Sequence, residues 1–140
     1  MKTKRFLIVA CALFLGLASC KRSTSLHYFD AYVGKDPAAS GAWDSEPLHH
    51  QMKELMGNQY DQFMNYMKGA GPFVKGQYVY TYGRIAQDST RGYAFILVDT
   101  KKDKMLTAII TNYQIQKFQD PAEAFTVPVE LQNKIDSISK

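Results

Sequence analysis

Cysteine is almost missing from this sequence, and both cysteines lie near its N-terminus. Cys11 and Cys20 are the only ones among 140 residues. The remainder of the chain, from residue 21 onwards, therefore offers no disulfide, no cysteine-based metal site and no cysteine nucleophile. A hydrophobic core has to hold this part of the chain together without covalent cross-links, and its length suits a single domain.

Histidine and catalytic motifs are equally scarce. The three histidines are His27, His49 and His50. The adjacent pair would diverge by about 100° on a helix, whereas a helical metal pair needs i, i+4 spacing. No Gly-x-Ser-x-Gly, His-Glu-x-x-His or phosphate-binding glycine loop is present. Asp88 and Asp99 are a candidate carboxylate pair for acid–base catalysis, but such catalysis needs a geometry that sequence alone does not supply. We therefore expect a binding protein without metal or cofactor rather than an enzyme.

The excess of positive charge is concentrated at the N-terminus. The sequence has 17 basic and 13 acidic residues, and three of the basic ones, Lys2, Lys4 and Arg5, precede an apolar stretch at Phe6–Leu17. Residues 20–140 are therefore nearly neutral. A nucleic-acid-binding face needs clustered basic residues, so we expect no nucleic-acid partner.

Residues 1–19 have the pattern of a removable leader. A basic start is followed by an apolar run that is shorter than the ~20 residues of a transmembrane helix. Leu17-Ala18-Ser19-Cys20 resembles the lipobox of bacterial lipoproteins, which implies that Cys20 becomes the acylated first residue of the mature chain. The alternative is an ordinary signal peptide with a cysteine nearby. Some bacterial lipoproteins have an acidic run after this cysteine that directs them to the cell surface. Lys21-Arg22 does not match that pattern, which favours the periplasmic face of the outer membrane.

The rest of the chain predicts a lipid-anchored tether at residues 20–41 and one domain at residues 42–140. Within the tether, the apolar segment His27–Val33 fits either an edge strand or a packed arm. Trp43–Met56 predicts a helix capped by Asp44 or Ser45 and ended by Gly57. Asn58, with Asp61 at the third position, predicts a cap for a second helix that carries Tyr60, Phe63, Met64 and Met67 on one face.

Three strand patterns follow between Gln77 and Thr111. Tyr78, Tyr80 and Tyr82 alternate with other residues, whereas Tyr93–Val98 and Met105–Ile110 are apolar runs typical of strands buried on both faces. Asn112–Gln119 predicts a fourth strand, and Pro128–Ile138 a closing helix with Leu131, Ile135 and Ile138 on one side. The order predicts an α+β fold: an antiparallel sheet of about four to five strands, two N-terminal helices and a C-terminal helix.

The central block resembles the inhibitor of vertebrate lysozyme (Ivy) family over roughly Asn58–Thr111. The resemblance rests on the helix Phe63–Met67, the passage Gly69, Pro72, Phe73 and Val74, and the loop, strand, turn and strand of Gly83–Ile110. In that family the loop reads Cys-Lys-Pro-His-Asp-Cys, is closed by a disulfide and enters the active-site cleft of a lysozyme. Here the matching residues are Arg84-Ile85-Ala86-Gln87-Asp88-Ser89, so Asp88 matches while Gln87 replaces the histidine and Arg84 and Ser89 replace the cysteines.

The resemblance implies that the loop Gly83–Gly92 binds a protein partner, a lysozyme-like or lytic transglycosylase-like enzyme. We expect Arg84, Gln87 and Arg91 to donate hydrogen bonds, and Asp88 to brace the loop. Two other interpretations compete with this one. An envelope lipoprotein that docks to another protein would expose an apolar patch, at Tyr28–Val33 or on the Tyr78, Tyr80 and Tyr82 face. A small hydrolase would have a concave pocket with convergent carboxylates.

Overall fold

The computed structural model describes residues 24–85, 92–120 and 124–138, which form an α+β fold. Three α-helices are present in these ranges: α1 at Leu48–Met56, α2 at Tyr60–Met67 and α3 at Val129–Ile138. Five strands form one sheet: β1 at Val74–Lys75, β2 at Val79–Gly83, β3 at Tyr93–Asp99, β4 at Lys104–Thr111 and β5 at Gln114–Gln119. The expected α+β architecture is confirmed.

The sheet is an antiparallel meander in which every strand pairs with its neighbour in sequence. The four-residue turn Thr100–Asp103 joins β3 to β4, as predicted. The Asp99 carboxylate accepts the backbone N–H groups of Lys101 and Lys102, each at 3.1 Å. A side chain that binds the backbone two and three residues ahead stabilises a tight turn. This turn fixes the register in which Asp99 faces Lys104 and Leu97 faces Leu106.

Strands β3 and β4 are buried on both faces, as their unbroken apolar runs predict. Alternate residues of a strand point to opposite faces, so the two strands supply two separate cores. One core lies on the side of the sheet that α1 and α2 cover, and it includes Trp43, Phe63 and Phe73. The other combines Tyr78 and Tyr80 with Leu131 and Ile135 of α3. The closing helix therefore covers the sheet face that the other helices leave open, as expected.

The starts of α1 and α2 differ from the prediction. Ala42–Asp44 is a separate 3-10 turn, and Pro47 holds the N-cap position of α1 without a side-chain cap. The Ser45 hydroxyl is engaged elsewhere, because it donates to the Ala42 carbonyl at 2.6 Å. The expected Asn58 cap of α2 is also wrong: residues Gly57–Gln59 form a 3-10 turn, and Gln59 precedes α2 with no side-chain cap. Gly57 ends α1 with a positive φ of 53°, as predicted.

The segment before the predicted domain start packs as an arm. His27–Tyr32 is a 3-10 helix, and Leu26 and Phe29 are fully buried in the core on the α1 and α2 side. Val33 then forms an isolated parallel bridge with Phe73. Of the two interpretations of this segment, the packed arm is confirmed. The core therefore includes residues N-terminal to position 42.

A polar network fastens this arm to the sheet. The Asp30 carboxylate accepts hydrogen bonds from the Lys75 ammonium and, at 2.9 Å, from the Thr100 hydroxyl. The Leu26 N–H donates to the Asp103 carboxylate at 2.6 Å, and the His27 ring contacts the Thr100 carbonyl. The hydrogen bond from Lys75, with smaller help from Thr100, lowers the pKa of Asp30. These contacts join the chain start to β1 and to the β3–β4 turn.

The lowered pKa of Asp30 predicts an acid-sensitive contact. A carboxyl whose pKa falls on folding stabilises the protein above its unfolded pKa of about 3.9, and this stabilisation is lost as the pH falls through the folded value. Both side chains are partly exposed, so we expect the pair to contribute about 0.5–1 kcal/mol at pH 7. A double-mutant cycle of Asp30→Asn and Lys75→Met by chemical denaturation measures it. A coupling energy equal at pH 7 and pH 3 would contradict the assignment.

Candidate functional site

The β2–β3 connection lies at one end of the sheet, and the structure shows both of its ends. Gly83 closes β2 and pairs with Ala94 of β3, so the two chain ends of the loop are held in register. Arg84 follows as an exposed residue, and Ile85 packs against the core on the α1 and α2 side. A loop whose ends leave paired, buried strands has a rigid base.

Three glycines let this loop base approach the end of α2 closely. A Cβ on Gly83 would lie 2.6 Å from the Tyr66 carbonyl oxygen and 3.0 Å from the Met67 Cα. A Cβ on Gly92 would clash with the Tyr66 ring, and one on Gly69 with the Arg84 carbonyl. The Tyr66 ring is itself buried. Only the absence of side chains at these positions allows the helix end and both loop ends to pack together.

Arg84 is the predicted binding residue that the structure describes. Its guanidinium lies over the Tyr93 ring, with the Cζ atom 5.9 Å from the ring centroid, and its Nη1 donates to the Tyr93 hydroxyl at 3.4 Å. Stacking on an aromatic ring orients a guanidinium while leaving donors free for a partner. Gln87, Asp88 and Arg91 lie outside the described residues, so their roles stay predictions.

A cleft of about 570 Å³ opens beside Arg84, between the loop base, β2 and α3. Tyr82 and Tyr93, which the sequence pattern placed on strands, line this cleft. Glu130 and Lys134 of α3 line it as well, and the sequence did not predict a role for them. Glu130 and Lys134 are four residues apart on a helix, so the only signal available was their shared face. The fold brings this face of α3 to the loop base.

The two other interpretations find less support in the described residues. Tyr78 and Tyr80 are buried under α3 and Phe29 is buried in the arm, so of the two expected apolar patches the described residues expose Tyr82 on one and Val33 on the other. The cleft beside Arg84 contains one carboxylate, Glu130. Asp99, one member of the candidate carboxylate pair, stabilises the β3–β4 turn.

A second cleft, of about 550 Å³, does gather the carboxylates of Glu54, Asp103 and Asp120. Each of them has a structural contact: Glu54 with His50 at 2.9 Å, Asp103 with the Leu26 N–H, and Asp120 with Lys104 at 3.5 Å. Within the described residues no three histidine, cysteine or acidic side chains form a possible metal site. Each acidic group of this cleft therefore already has a partner within the protein.

The remaining histidine has a structural role as well. The ring of His49 lies 3.0 Å from the Trp43 carbonyl and 3.1 Å from the Tyr60 hydroxyl through Nδ1. Burial raises the pKa of Tyr60. His49 and its neighbour His50 thus contact different partners, as expected for adjacent residues on a helix.

None of the helices within the described ranges has the length and apolar character needed to cross a bilayer.

Comparison with known families gives one match. A family model described as inhibitor of vertebrate lysozyme (Ivy) matches residues 47–140, which includes both helices before the sheet, all five strands, the β2–β3 loop and α3. No curated protein and no solved structure matches the chain. Because the matched region covers more than half of the sequence, the chain belongs to the Ivy family.

Proposed function

We propose that this protein inhibits a lysozyme or another peptidoglycan-cleaving enzyme through its β2–β3 loop. The observation that carries the proposal is the family match over residues 47–140, which contains the loop. The loop base supports it, because strand pairing fixes the position of both loop ends before a partner binds, which lowers the entropy lost on binding. The fold positions the loop, but the side chains of the loop would decide which enzyme it binds.

The loop has donors suited to an acidic cleft. Enzymes that cleave glycosidic bonds hold a pair of carboxyl groups in a groove that accepts a sugar polymer. An inserted loop therefore needs hydrogen-bond donors. Arg84 and Arg91 would supply charge-assisted hydrogen bonds, and Gln87 would supply its side-chain amide. Asp88 would accept backbone N–H groups of its own loop rather than enter an acidic cleft.

The proposed location is the periplasmic face of the outer membrane. It rests on the sequence Leu17-Ala18-Ser19-Cys20 after a basic and apolar leader, and on Lys21-Arg22 immediately after it. An inhibitor anchored there would meet an enzyme that attacks the peptidoglycan layer. The lipid on Cys20 would keep it in the envelope.

The anchor predicts that Cys20 is acylated. Cells that produce the protein, fed with a palmitate analogue, should label the parent chain and leave Cys20→Ser unlabelled. The variant should also leave the membrane fraction. An unlabelled parent chain that fractionates in the same way as Cys20→Ser would contradict the proposal.

The loop predicts that its donors contribute to inhibition. Loss of one buried charged contact at an interface costs about 2–5 kcal/mol, which corresponds to tens- to thousands-fold in affinity. We therefore expect Arg84→Ala and Gln87→Ala to weaken inhibition without unfolding the protein, and Asp88→Ala to weaken it by loosening the loop. The measurement is a cell-wall turbidity assay with c-type and g-type lysozymes and bacterial lytic transglycosylases.

Lys101 provides the matched control for this experiment, because it is an exposed cation in the β3–β4 turn. Lys101→Ala should inhibit as the parent protein does. If the parent protein at micromolar concentration inhibits none of these enzymes, the docking lipoprotein becomes the better interpretation. Inhibition that survives replacement of the whole loop would show that the binding site lies elsewhere.

The close packing at the loop base predicts a specific sensitivity to added volume. Gly92→Ala forces the buried Tyr66 ring to move, and overpacking of this kind costs about 1–3 kcal/mol. It should also displace the loop and weaken inhibition in the turbidity assay. Denaturant unfolding measures the loss of stability.

Two further variants make this test specific. At Gly76 an added Cβ would meet the Tyr80 ring at an ordinary 3.7 Å, so Gly76→Ala serves as the control and should change stability much less. Replacing the ring in Tyr66→Leu/Gly92→Ala should cost less than the sum of the two single changes, because the clash is gone. Strictly additive effects would show that the ring contact does not limit position 92.

A further inference from the structure

The cleft beside Arg84 holds a second cation, Lys134, and a carboxylate, Glu130, neither of which the proposed loop contact uses. Its floor is the outer part of β2 and the passage from α2 to β1, and α3 forms one wall. The wall contributes Glu130 and Lys134, and the loop base contributes Arg84 and Tyr93. At about 570 Å³ the cleft is within the range of small-ligand pockets in proteins, which is roughly 300–1,000 Å³.

Each of the two cations lies over a tyrosine ring. Arg84 lies over Tyr93, and the Lys134 ammonium lies 5.8 Å from the centroid of the Tyr82 ring. Within the described ranges neither cation forms an ion pair with a carboxylate. Cation–π contacts position a charge without neutralising it. The cleft therefore presents two oriented positive groups to a ligand.

The single carboxylate is held differently. Glu130 accepts a hydrogen bond from the Tyr80 hydroxyl at 2.9 Å. A tyrosine hydroxyl is protonated near neutral pH, and burial, with a smaller effect of Glu130, raises the pKa of Tyr80 further. One oxygen of Glu130 is thus occupied within the protein. Among the described residues that line the cleft, Arg84, Lys134 and Glu130 sum to one net positive charge.

We propose that this cleft binds a small molecule that carries one carboxylate on a partly apolar body. The carboxylate would lie against Arg84 and Lys134, since a planar carboxylate matches the guanidinium fork and also pairs with an ammonium. The body would lie along Tyr82, Pro72 and Val74, all of them exposed to solvent. One net charge favours a monocarboxylate over a phosphate monoester, which carries closer to two negative charges.

Two sources offer this chemistry: an acidic amino sugar and the C-terminus of a short peptide. The experiment uses one probe for each source, N-acetylmuramic acid and N-acetyl-dialanine. Their neutral counterparts are N-acetylglucosamine and the C-terminal amide of N-acetyl-dialanine. Ligand-observed NMR and calorimetric titrations with the full mature protein measure the dissociation constants. Because the free protein is titrated, the result does not depend on whether the protein inhibits any enzyme.

We expect at least one carboxylate probe to bind about ten-fold more tightly than its neutral counterpart, and the probe that binds identifies the source. Lys134→Ala should weaken that binding by about 1.5- to 5-fold, the range for an exposed charge contact. Glu130→Gln should tighten it by about three-fold, because the change removes a like charge while its amide oxygen still accepts from Tyr80. A general loss of folding would not produce opposite effects.

Lys53 provides a matched control, because its ammonium also lies over a tyrosine ring, 5.4 Å from the centroid of Tyr60, but on α1. Lys53→Ala should leave the dissociation constants unchanged. Failure of both carboxylate probes to bind would overturn the proposal, and so would equal binding of acids and neutral counterparts. Equal responses of the Lys134→Ala, Glu130→Gln and Lys53→Ala variants would also overturn it.

Discussion

Burial of β3 and β4 on both faces is the constraint on which the rest of the structure depends. Their side chains supply one core towards α1 and α2 and another towards α3. Two neighbouring strands with apolar residues on both faces cannot leave either face in water, because each buried methylene contributes about 0.8 kcal/mol. The chain therefore needs helical cover on both sides. The N-terminal segments provide one cover, and the C-terminal helix returns to provide the other.

The same constraint gives the β2–β3 loop its rigid base. The loop leaves one of these doubly buried strands, and its two ends are fixed by the pairing of Gly83 with Ala94. The family resemblance leads one to expect a disulfide across the loop, but Arg84 and Ser89 occupy the cysteine positions. Close approach of Gly83 and Gly92 to Tyr66 restrains the loop ends in another way. In this protein packing restrains the two ends of the loop, whereas a disulfide would restrain the loop covalently.

Contacts between distant parts of the chain also bring together the groups around the loop base. Tyr80 of β2 donates to Glu130 of α3, fifty residues later, and Lys134 lies over Tyr82. At the opposite end of the fold, Asp30 contacts Lys75 and Thr100. Both networks are polar and lie at the borders of the two cores. They add polar contacts that join α3 and the arm to the sheet.

The sequence by itself determined the four longer strands, the presence of three α-helices and the order of these elements, but not the short strand β1. The runs Tyr93–Val98 and Met105–Ile110, the turn between them and the stripe of Leu131 and Ile135 were sufficient, because periodicity and turn chemistry are local. It also pointed to the family through the helix, the Pro72 passage and the loop. It did not determine the helix caps, since Ser45 has a tertiary partner in Tyr28 and closes a 3-10 turn.

Only the tertiary structure decided that the arm containing Phe29 enters the core, that Tyr66 packs against the glycines of the loop base, and that Lys134 and Glu130 face Arg84 across one cleft. Each of these contacts joins residues whose separation in sequence has no fixed period. They exist because two helical layers must close over one sheet at particular angles, and those angles follow from the packing of all the elements together.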